Sequence, residues 1–274
     1  GATTLGADLT VRTGSGDLTF TANSTVDSAV GTTSSLTTDL GDGALFFNAD
    51  IGSVTSLRQL KVMSANAGVT FGDTTPMNLV RVSQPIDIGV GTNVIGGSGI
   101  TLNGGNGELL FETSNDDVRL NGAIRAQSNI AIDTGDGIGS ITLTSSTTID
   151  SHDGPGAATT IERNSVRLDA GEGAISINAN IGGQQEIGSF TIERATGGVV
   201  VGGADTSVLG GAGPVSQIAT DGPIDIGSAA SITGGIALNG GSGSLAIRTS
   251  SDNVDLNGPI ELRSNVSIDT GPNG

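Results

Sequence analysis

The sequence predicts an all-β fold, a parallel β-solenoid, on the basis of three observations. Glycine makes up 46 of the 274 residues, far above the roughly 7% that is usual in globular proteins. Isoleucine, valine and leucine alternate with small or polar residues over short stretches, which is the period of half-buried strands. Long segments also recur along the chain, as expected of a fold built from stacked units.

The glycine content has three common explanations, and two of them fail. Collagen requires glycine at every third position, and the segment 140–144 (Ser-Ile-Thr-Leu-Thr) breaks that period. Disordered chains contain few aliphatic residues, which are abundant and regularly spaced here. A β-fold with many tight turns is the explanation that remains.

The repeats divide the chain into copies. Residues 99–122 and 235–258 are identical at 15 of 24 positions without a gap, and shorter matches elsewhere have offsets between about 121 and 138 residues. We interpret residues 7–127 as the first copy and 128–263 as the second, with a third beginning at 264–274. The turn composition is uniform, so residues 1–274 are predicted to form one continuous solenoid. The chain has no initiator methionine at its start, and we expect it to be a part of a longer protein.

Short strands separated by glycine turns are predicted within each copy. Coils of about 20–35 residues would give about ten coils of strands three to five residues long, and parallel crossovers favour right-handed winding. Four Asn-Gly pairs, at 103–104, 121–122, 239–240 and 257–258, are predicted to supply positive φ at sharp corners. The clearest period-2 segments are 130–132, 141–143, 175–177, 190–192, 224–226 and 245–247.

Charge excludes some partners. The chain carries 11 Lys plus Arg against 28 Asp plus Glu, a net charge of −17. A nucleic-acid surface needs clustered cations, so we expect no nucleic-acid partner. No apolar run approaches the roughly 20 residues of a membrane helix, so no membrane insertion is expected.

Residues that could carry chemistry are few. His152 is the one histidine and there is no cysteine, so a zinc site is not expected and His152 is predicted to be an exposed loop residue. Paired carboxylates could serve polysaccharide cleavage, and the candidate pairs are Asp116–Asp117 and Asp252/Asp255, which we interpret as repeat-equivalent. The chain has no Trp or Tyr to bind sugar rings. We therefore expect no catalytic residues and no enzyme.

Calcium is the one cofactor that the sequence leaves open. The segments 104–109 and 240–245 resemble glycine-rich calcium-binding β-roll repeats, but Leu109 and Leu245 stand where that motif needs Asp. Asp133 and Asp136 place two carboxylates in one turn, and these are weak calcium candidates. The alternative is that they are polar corner residues, and we expect neither a cofactor nor a specific metal site.

Several segments resemble the repeats of a known class of proteins. IALNGGSGSL at 236–245, SNIAIDTG at 128–135 and GAISINANIGG at 173–183 are similar to repeats of filamentous-haemagglutinin-like adhesins and of other giant bacterial β-strand-repeat surface proteins. The resemblance implies a very large, secreted, extracellular protein at a bacterial cell surface. It supplies no catalytic residues.

Three functions follow as hypotheses. The first is a structural segment of a surface fibre or adhesin stalk, whose partners are more copies of the same repeat end to end or neighbouring filament subunits. The second is a module that binds glycans or a host surface; residues 184–186 (Gln-Gln-Glu) and the loop 152–158 depart from the repeat and are its best candidates. The third and weakest is a polysaccharide-acting β-helix enzyme.

Overall fold

The computed structural model describes residues 2–22, 25–91, 93–152, 163–202 and 215–272. Regular structure in these residues is entirely β-strand, with every strand pair parallel, which confirms the predicted all-β parallel solenoid. The strands are β1 Thr3–Leu5, β2 Leu9–Arg12, β3 Leu18–Phe20, β4 Val26–Ser28, β5 Leu36–Asp39, β6 Ala44–Phe47, β7 Leu60–Ser64, β8 Gly68–Phe71, β9 Leu79–Arg81, β10 Ile86–Ile88, β11 Ile95–Leu102, β12 Glu108–Glu112, β13 Val118–Ala126, β14 Asn129–Asp133, β15 Ile141–Ser151, β16 Val166–Asp169, β17 Ala174–Ile181, β18 Phe190–Arg194, β19 Gly198–Val201, β20 Gln217–Thr220, β21 Ile224–Ile226, β22 Ile236–Leu238, β23 Ser244–Thr249, β24 Val254–Leu256, β25 Ile260–Leu262 and β26 Asn265–Asp269.

Three parallel ladders make up the solenoid, and we name them faces A, B and C. The chain visits them in the constant order A, B, C. Each strand position on one face is called a rung, and each face has ten rungs in the described residues. Face A holds β1, β4, the single residue Ile51, β9, β12, β14, β16, β18, β21 and β24. Face B holds β2, β5, β7, β10, the first halves of β13, β15 and β17, and then β19, β22 and β25. Face C holds β3, β6, β8, β11, the second halves of β13, β15 and β17, and then β20, β23 and β26.

Some strands are longer than predicted. The expected length of three to five residues is wrong for β23, which has 6 residues, and for β11, β13, β15 and β17, which have 8 to 11 residues. The pairing of β13 with β15 shifts register between Asn121 and Ile124, where the chain passes from face B to face C. β13, β15 and β17 therefore turn a corner without a loop, and each of them supplies a rung to face B and a rung to face C.

The core is a set of apolar columns inside the three faces. Inward residues of successive rungs pair in register and are fully buried, because each is covered by the rung above and the rung below. On face C, Phe20, Phe47 and Phe71 stack with ring centroids 5.0 and 5.1 Å apart. On face B the column contains Leu36, Leu60, Ile86, Val118, Ile141, Ile175, Val199 and Ile236.

The predicted role of the Asn-Gly glycines is wrong. None of Gly104, Gly122, Gly240 and Gly258 has a positive φ. They are glycines because a side chain would not fit: a Cβ on Gly104 would lie 2.7 Å from the backbone nitrogen of Leu109. For the pairs at 103–104 and 239–240, the positive φ falls one residue later, at Gly105 and Gly241.

The two copies follow the same order of strands but lie on different faces. Residues 7–127 supply 14 rungs, β2 to β13 with Ile51, and residues 128–263 supply 14 rungs, β14 to β25. Fourteen is not a multiple of three, so one copy spans four turns and two further faces. Each rung of the second copy therefore lies one face earlier in the order A, B, C than its match. Matched pairs include β2 and β14, β6 and the first half of β17, β10 and β21, β11 and β22, and β12 and β23.

Candidate functional site

A polar cleft on face C brings together residues that the sequence placed far apart. It has a volume of about 340 Å³ and is lined by Arg125, Asp150, Ser151, His152, Gln184 and Gln185. Arg125 on β13 pairs with Asp150 on β15, one rung along. Gln184 and Gln185 follow the end of β17, which is the next rung. The cleft is therefore built across three consecutive coils.

Both segments proposed for binding contribute to this cleft. Gln184 and Gln185 of the segment 184–186 line it, whereas Glu186 does not. His152 of the loop 152–158 also lines it and is exposed, as predicted. Residues 153–158 lie outside the described residues.

Asp150 fixes the backbone around the cleft, and we call this carboxylate together with the backbone N–H groups that it binds the frame of the cleft. Its side chain is buried, and Oδ1 accepts hydrogen bonds from the backbone N–H groups of Gln184 at 2.8 Å and Gln185 at 3.1 Å. The Thr148 hydroxyl donates to the other carboxylate oxygen. The backbone N–H of His152 donates to the carbonyl oxygen of Ala126 at 2.8 Å. Asp150 is thus occupied in fixing the loop after β17, because a buried carboxylate requires such partners.

Arg125 differs from the other arginines. Of the ten arginines, all within the described residues, eight form ion pairs with Asp or Glu, and Arg248 donates to the side-chain oxygen of Gln217. Arg125 makes no ion pair and no side-chain hydrogen bond among the described residues, and it is exposed at the cleft. In a chain with a net charge of −17, this leaves one guanidinium available to a ligand.

The two calcium candidates both have protein partners. Asp133 Oδ1 accepts a hydrogen bond from the N–H of Gly135 at 2.7 Å. Asp136 forms an ion pair with Arg194, which also donates to the buried carboxylate of Asp169 at 2.8 Å. Hydrogen bonding to Asp169, and then to Asp136, raises the pKa of Arg194. The part of the chain that the structure describes contains no group of three or more potential metal-ligating side chains.

The predicted carboxylate pairs are not equivalent to each other. Asp116 corresponds to Asp252, but in the same register Asp117 corresponds to Asn253, and Asp255 to Arg119. Asp117 Oδ1 accepts the backbone N–H of Ser140 at 2.8 Å, so that carboxylate links two adjacent coils.

Asp255 instead pairs with Asp225 on the next rung of face A. A shallow cleft of about 430 Å³ lies beside them. Burial first, and the negative charge of Asp255 second, raise the pKa of Asp225. The corresponding pair in the first copy is Asp87 and Arg119, with 3.9 Å between Oδ1 and Nε. The second copy therefore has a like-charge pair where the first copy has an ion pair.

Comparison with known proteins gives no relative for this chain: no family model, no curated protein and no solved structure matches it. The described residues contain no helix that is long and apolar enough to cross a membrane.

Proposed function

We propose that this chain is a structural segment of a long extracellular fibre or adhesin stalk at a bacterial surface. The observation that supports it most is the state of the last coil. Ile260, Leu262 and Ile268 are 49, 62 and 52% exposed, although the residues on which they stack, such as Ile236 and Leu238, are buried. Apolar residues at these positions are buried wherever another coil covers them, so the coil presents a surface that suits one more coil.

The partner we propose for that surface is a further copy of the same repeat, either in the same chain or in a neighbouring filament subunit. A copy of the same kind brings inward apolar residues in register with those of β25 and β26. It also pairs the outer edges of these strands, which otherwise present unpaired backbone groups. Because each copy supplies 14 rungs, a third copy would lie one face earlier again, and a fourth would return to the faces of the first.

The net charge of −17 supports a role as a separate rod. Like-charged rods repel one another side by side, whereas stacking at the ends buries apolar columns and remains favourable. A nucleic-acid partner and membrane insertion are not part of the proposal. Neither is an enzymatic activity: Asp133 and Asp150 accept backbone N–H groups and Asp136 pairs with Arg194.

Labelling of intact cells that produce the protein tests this function. An antibody raised against residues 1–274 should decorate thin filaments at the cell surface, and external protease should remove the signal. Labelling confined to the cell interior, or particles of fixed short length with both ends covered, would contradict the proposal.

The alternative function, glycan or host-surface binding, is favoured by one observation, the polar cleft at Arg125. It is compatible with a stalk, because a rod can carry a binding site on one of its faces.

A further inference from the structure

We propose that the cleft formed by Arg125, His152, Gln184 and Gln185 binds a sugar that carries a single carboxylate group. The site spans the junction of the two copies, since Arg125 lies at the end of the first copy and the other three residues lie in the second, and it is distinct from the end surfaces that a fibre would use. Sugar binding does not depend on the rod being part of a fibre, so the two proposals fail separately.

An earlier part of the chain, residues 4–55, contains the same frame without the polar lining. Thr4 pairs with Asp27 on adjacent rungs of face A, as Arg125 pairs with Asp150 on face C. Asp27 Oδ1 accepts the backbone N–H groups of Val54 at 3.0 Å and Thr55 at 3.2 Å. These are the counterparts of the bonds from Gln184 and Gln185 to Asp150. The backbone of the site is therefore a general feature of the repeat.

Four side chains distinguish the two frames. Thr4, Ala29, Val54 and Thr55 of the earlier frame stand where the cleft has Arg125, His152, Gln184 and Gln185. Val54 is 79% exposed, so the fold does not require a polar residue at that position. Small or apolar residues have been replaced by long side chains with hydrogen-bonding groups at all four positions. The earlier frame forms without these groups, so the frame itself does not require Arg125, Gln184 or Gln185, and binding of a common ligand accounts for polar side chains at these positions.

The chemistry of the four side chains matches an acidic sugar. A guanidinium donates two parallel hydrogen bonds to a carboxylate in a fixed fork geometry. The primary amides of Gln184 and Gln185 offer donors and acceptors together, which suits neighbouring hydroxyl groups. The cleft has the size of a small-molecule site, at about 340 Å³. Its side chains are all polar, so an apolar ligand would cover them without supplying the hydrogen bonds that they lose with water.

Other ligand classes fit less well. A peptide that binds by strand addition needs a free strand edge, but β15, the central strand of the cleft, is paired with β13 on one side and β17 on the other. A polyanion would be repelled by the net charge of −17. One carboxylate on an otherwise uncharged sugar uses the single available guanidinium and avoids that repulsion.

Calorimetric titration of the full chain tests the proposal. The probes are oligosaccharides ending in glucuronate, galacturonate or N-acetylneuraminate, each with a counterpart in which the carboxyl group is reduced to an alcohol. We expect at least one acidic probe to bind at a single site, and its reduced counterpart to bind at least about tenfold more weakly, because a charge-assisted bidentate pair is lost.

A variant in which the cleft carries the four residues of the earlier frame tests whether the sugar binds at this site. Arg125→Thr, His152→Ala, Gln184→Val and Gln185→Thr together should abolish binding while the melting temperature stays close to that of the parent. Arg12→Thr is the matched control, since it removes the same charge from an exposed arginine whose ion pair with Asp39 is 3.7 Å long. That control should bind as the parent does. If the fourfold variant is unstable, Arg125→Gln alone should still weaken binding about tenfold, and it should leave the fold intact because Arg125 makes no ion pair or side-chain hydrogen bond with the described residues.

Four results would overturn the proposal. They are no binding of any acidic probe, equal binding of a reduced probe, unchanged binding by both the fourfold variant and Arg125→Gln, and equally tight binding of a glutamate-rich peptide. The last result would indicate an acidic peptide as the ligand instead.

Discussion

The side-chain amide of Asn121 donates a hydrogen bond to the carbonyl oxygen of Gly89, one coil back, at 3.2 Å. Its counterpart Asn257 makes the same bond to Gly227 at 3.0 Å. The first bond lies at the end of a face B rung and the second at the end of a face A rung. The same local sequence thus forms the same bond on a different side of the rod.

Other bonds repeat in the same way. The backbone N–H of Gly104 donates to Ser128 Oγ at 2.6 Å, and that of Gly240 donates to Ser264 Oγ at 2.6 Å. No face of the described solenoid is therefore defined by a sequence pattern of its own. Local sequence specifies a strand and its corner, and the number of strands in a copy specifies the face.

Asn121→Ala should destabilise the protein by about 1–3 kcal/mol, because it removes a buried donor from the carbonyl oxygens of Gly89 and Asn93. Asn257→Ala should cost less than about 1 kcal/mol, since Asn257 is exposed in the last coil and water can replace its amide. Chemical denaturation of both variants measures the difference. Equal costs would show that the two bonds are not distinguished by burial.

Gly72→Ala should cost at least about 2 kcal/mol. Gly72 has a φ of +83°, and a Cβ there would overlap the carbonyl oxygen of Asn103. Gly31→Ala should cost about 1 kcal/mol, because its φ is +81° but the space around it is open. Gly6→Ala should be close to neutral, since Gly6 has neither constraint. Thermal melts should rank the variants in that order, and a neutral Gly72→Ala would show that the coils are less tightly stacked at this corner.

Asp255→Arg should raise the melting temperature at pH 7. In the parent, the folded-state pKa of Asp225 is above its unfolded value, so the ionised pair is unfavourable at neutral pH and protonation relieves it as the pH falls. The variant installs the ion pair that Asp87 and Arg119 form in the first copy. Burial raises the pKa of Asp87 even beside Arg119, so a lowered pKa is not expected for Asp225 in the variant. The repulsion that the variant removes and the attraction that it adds both act only while Asp225 is ionised.

The advantage of Asp255→Arg should therefore be present at pH 7 and shrink towards pH 3. Asp73→Arg, at an exposed position, makes the same change in net charge and serves as the control. A gain that is equal in both variants, or that does not change with pH, would assign the effect to net charge rather than to Asp225.

Chelator should leave the melting temperature unchanged. The Asp133 side chain is bonded to the Gly135 N–H and Asp136 to Arg194, so calcium would have to displace both partners. Melting curves with excess EDTA and with millimolar calcium check this. A rise of several degrees with calcium would show that these carboxylates, or others, bind the ion.

The sequence was enough to predict the solenoid, since alternating segments such as 175–177 and 224–226 can bury only one side. Those segments lie in β17 and β21, with the expected residues inward. The shift of the second copy by one face was not predicted. The separation between matching segments was counted in residues, and that number changes with loop length. A count of strands per copy would have found it.

The sequence indicated some of the residues that line the cleft, but not that they lie together. The departure of Gln184 and Gln185 from the repeat was visible in the sequence, but their neighbour Arg125 lies about sixty residues away and adjoins them only through the stacking of coils. The Asn-Gly glycines were misjudged for a similar reason. Whether a glycine is needed for its φ or for the space it leaves depends on the coil packed against it, as at Gly104.

Cryo-electron microscopy of the native fibre tests the central claim most directly, that copies stack end to end with 14 rungs each. Coils spaced by about 4.8 Å then predict that equivalent surface features recur every 22 Å or so along the rod, each rotated by one face, with right-handed winding of the chain. Equivalent features on the same face in every copy, or a short particle with covered ends, would contradict it.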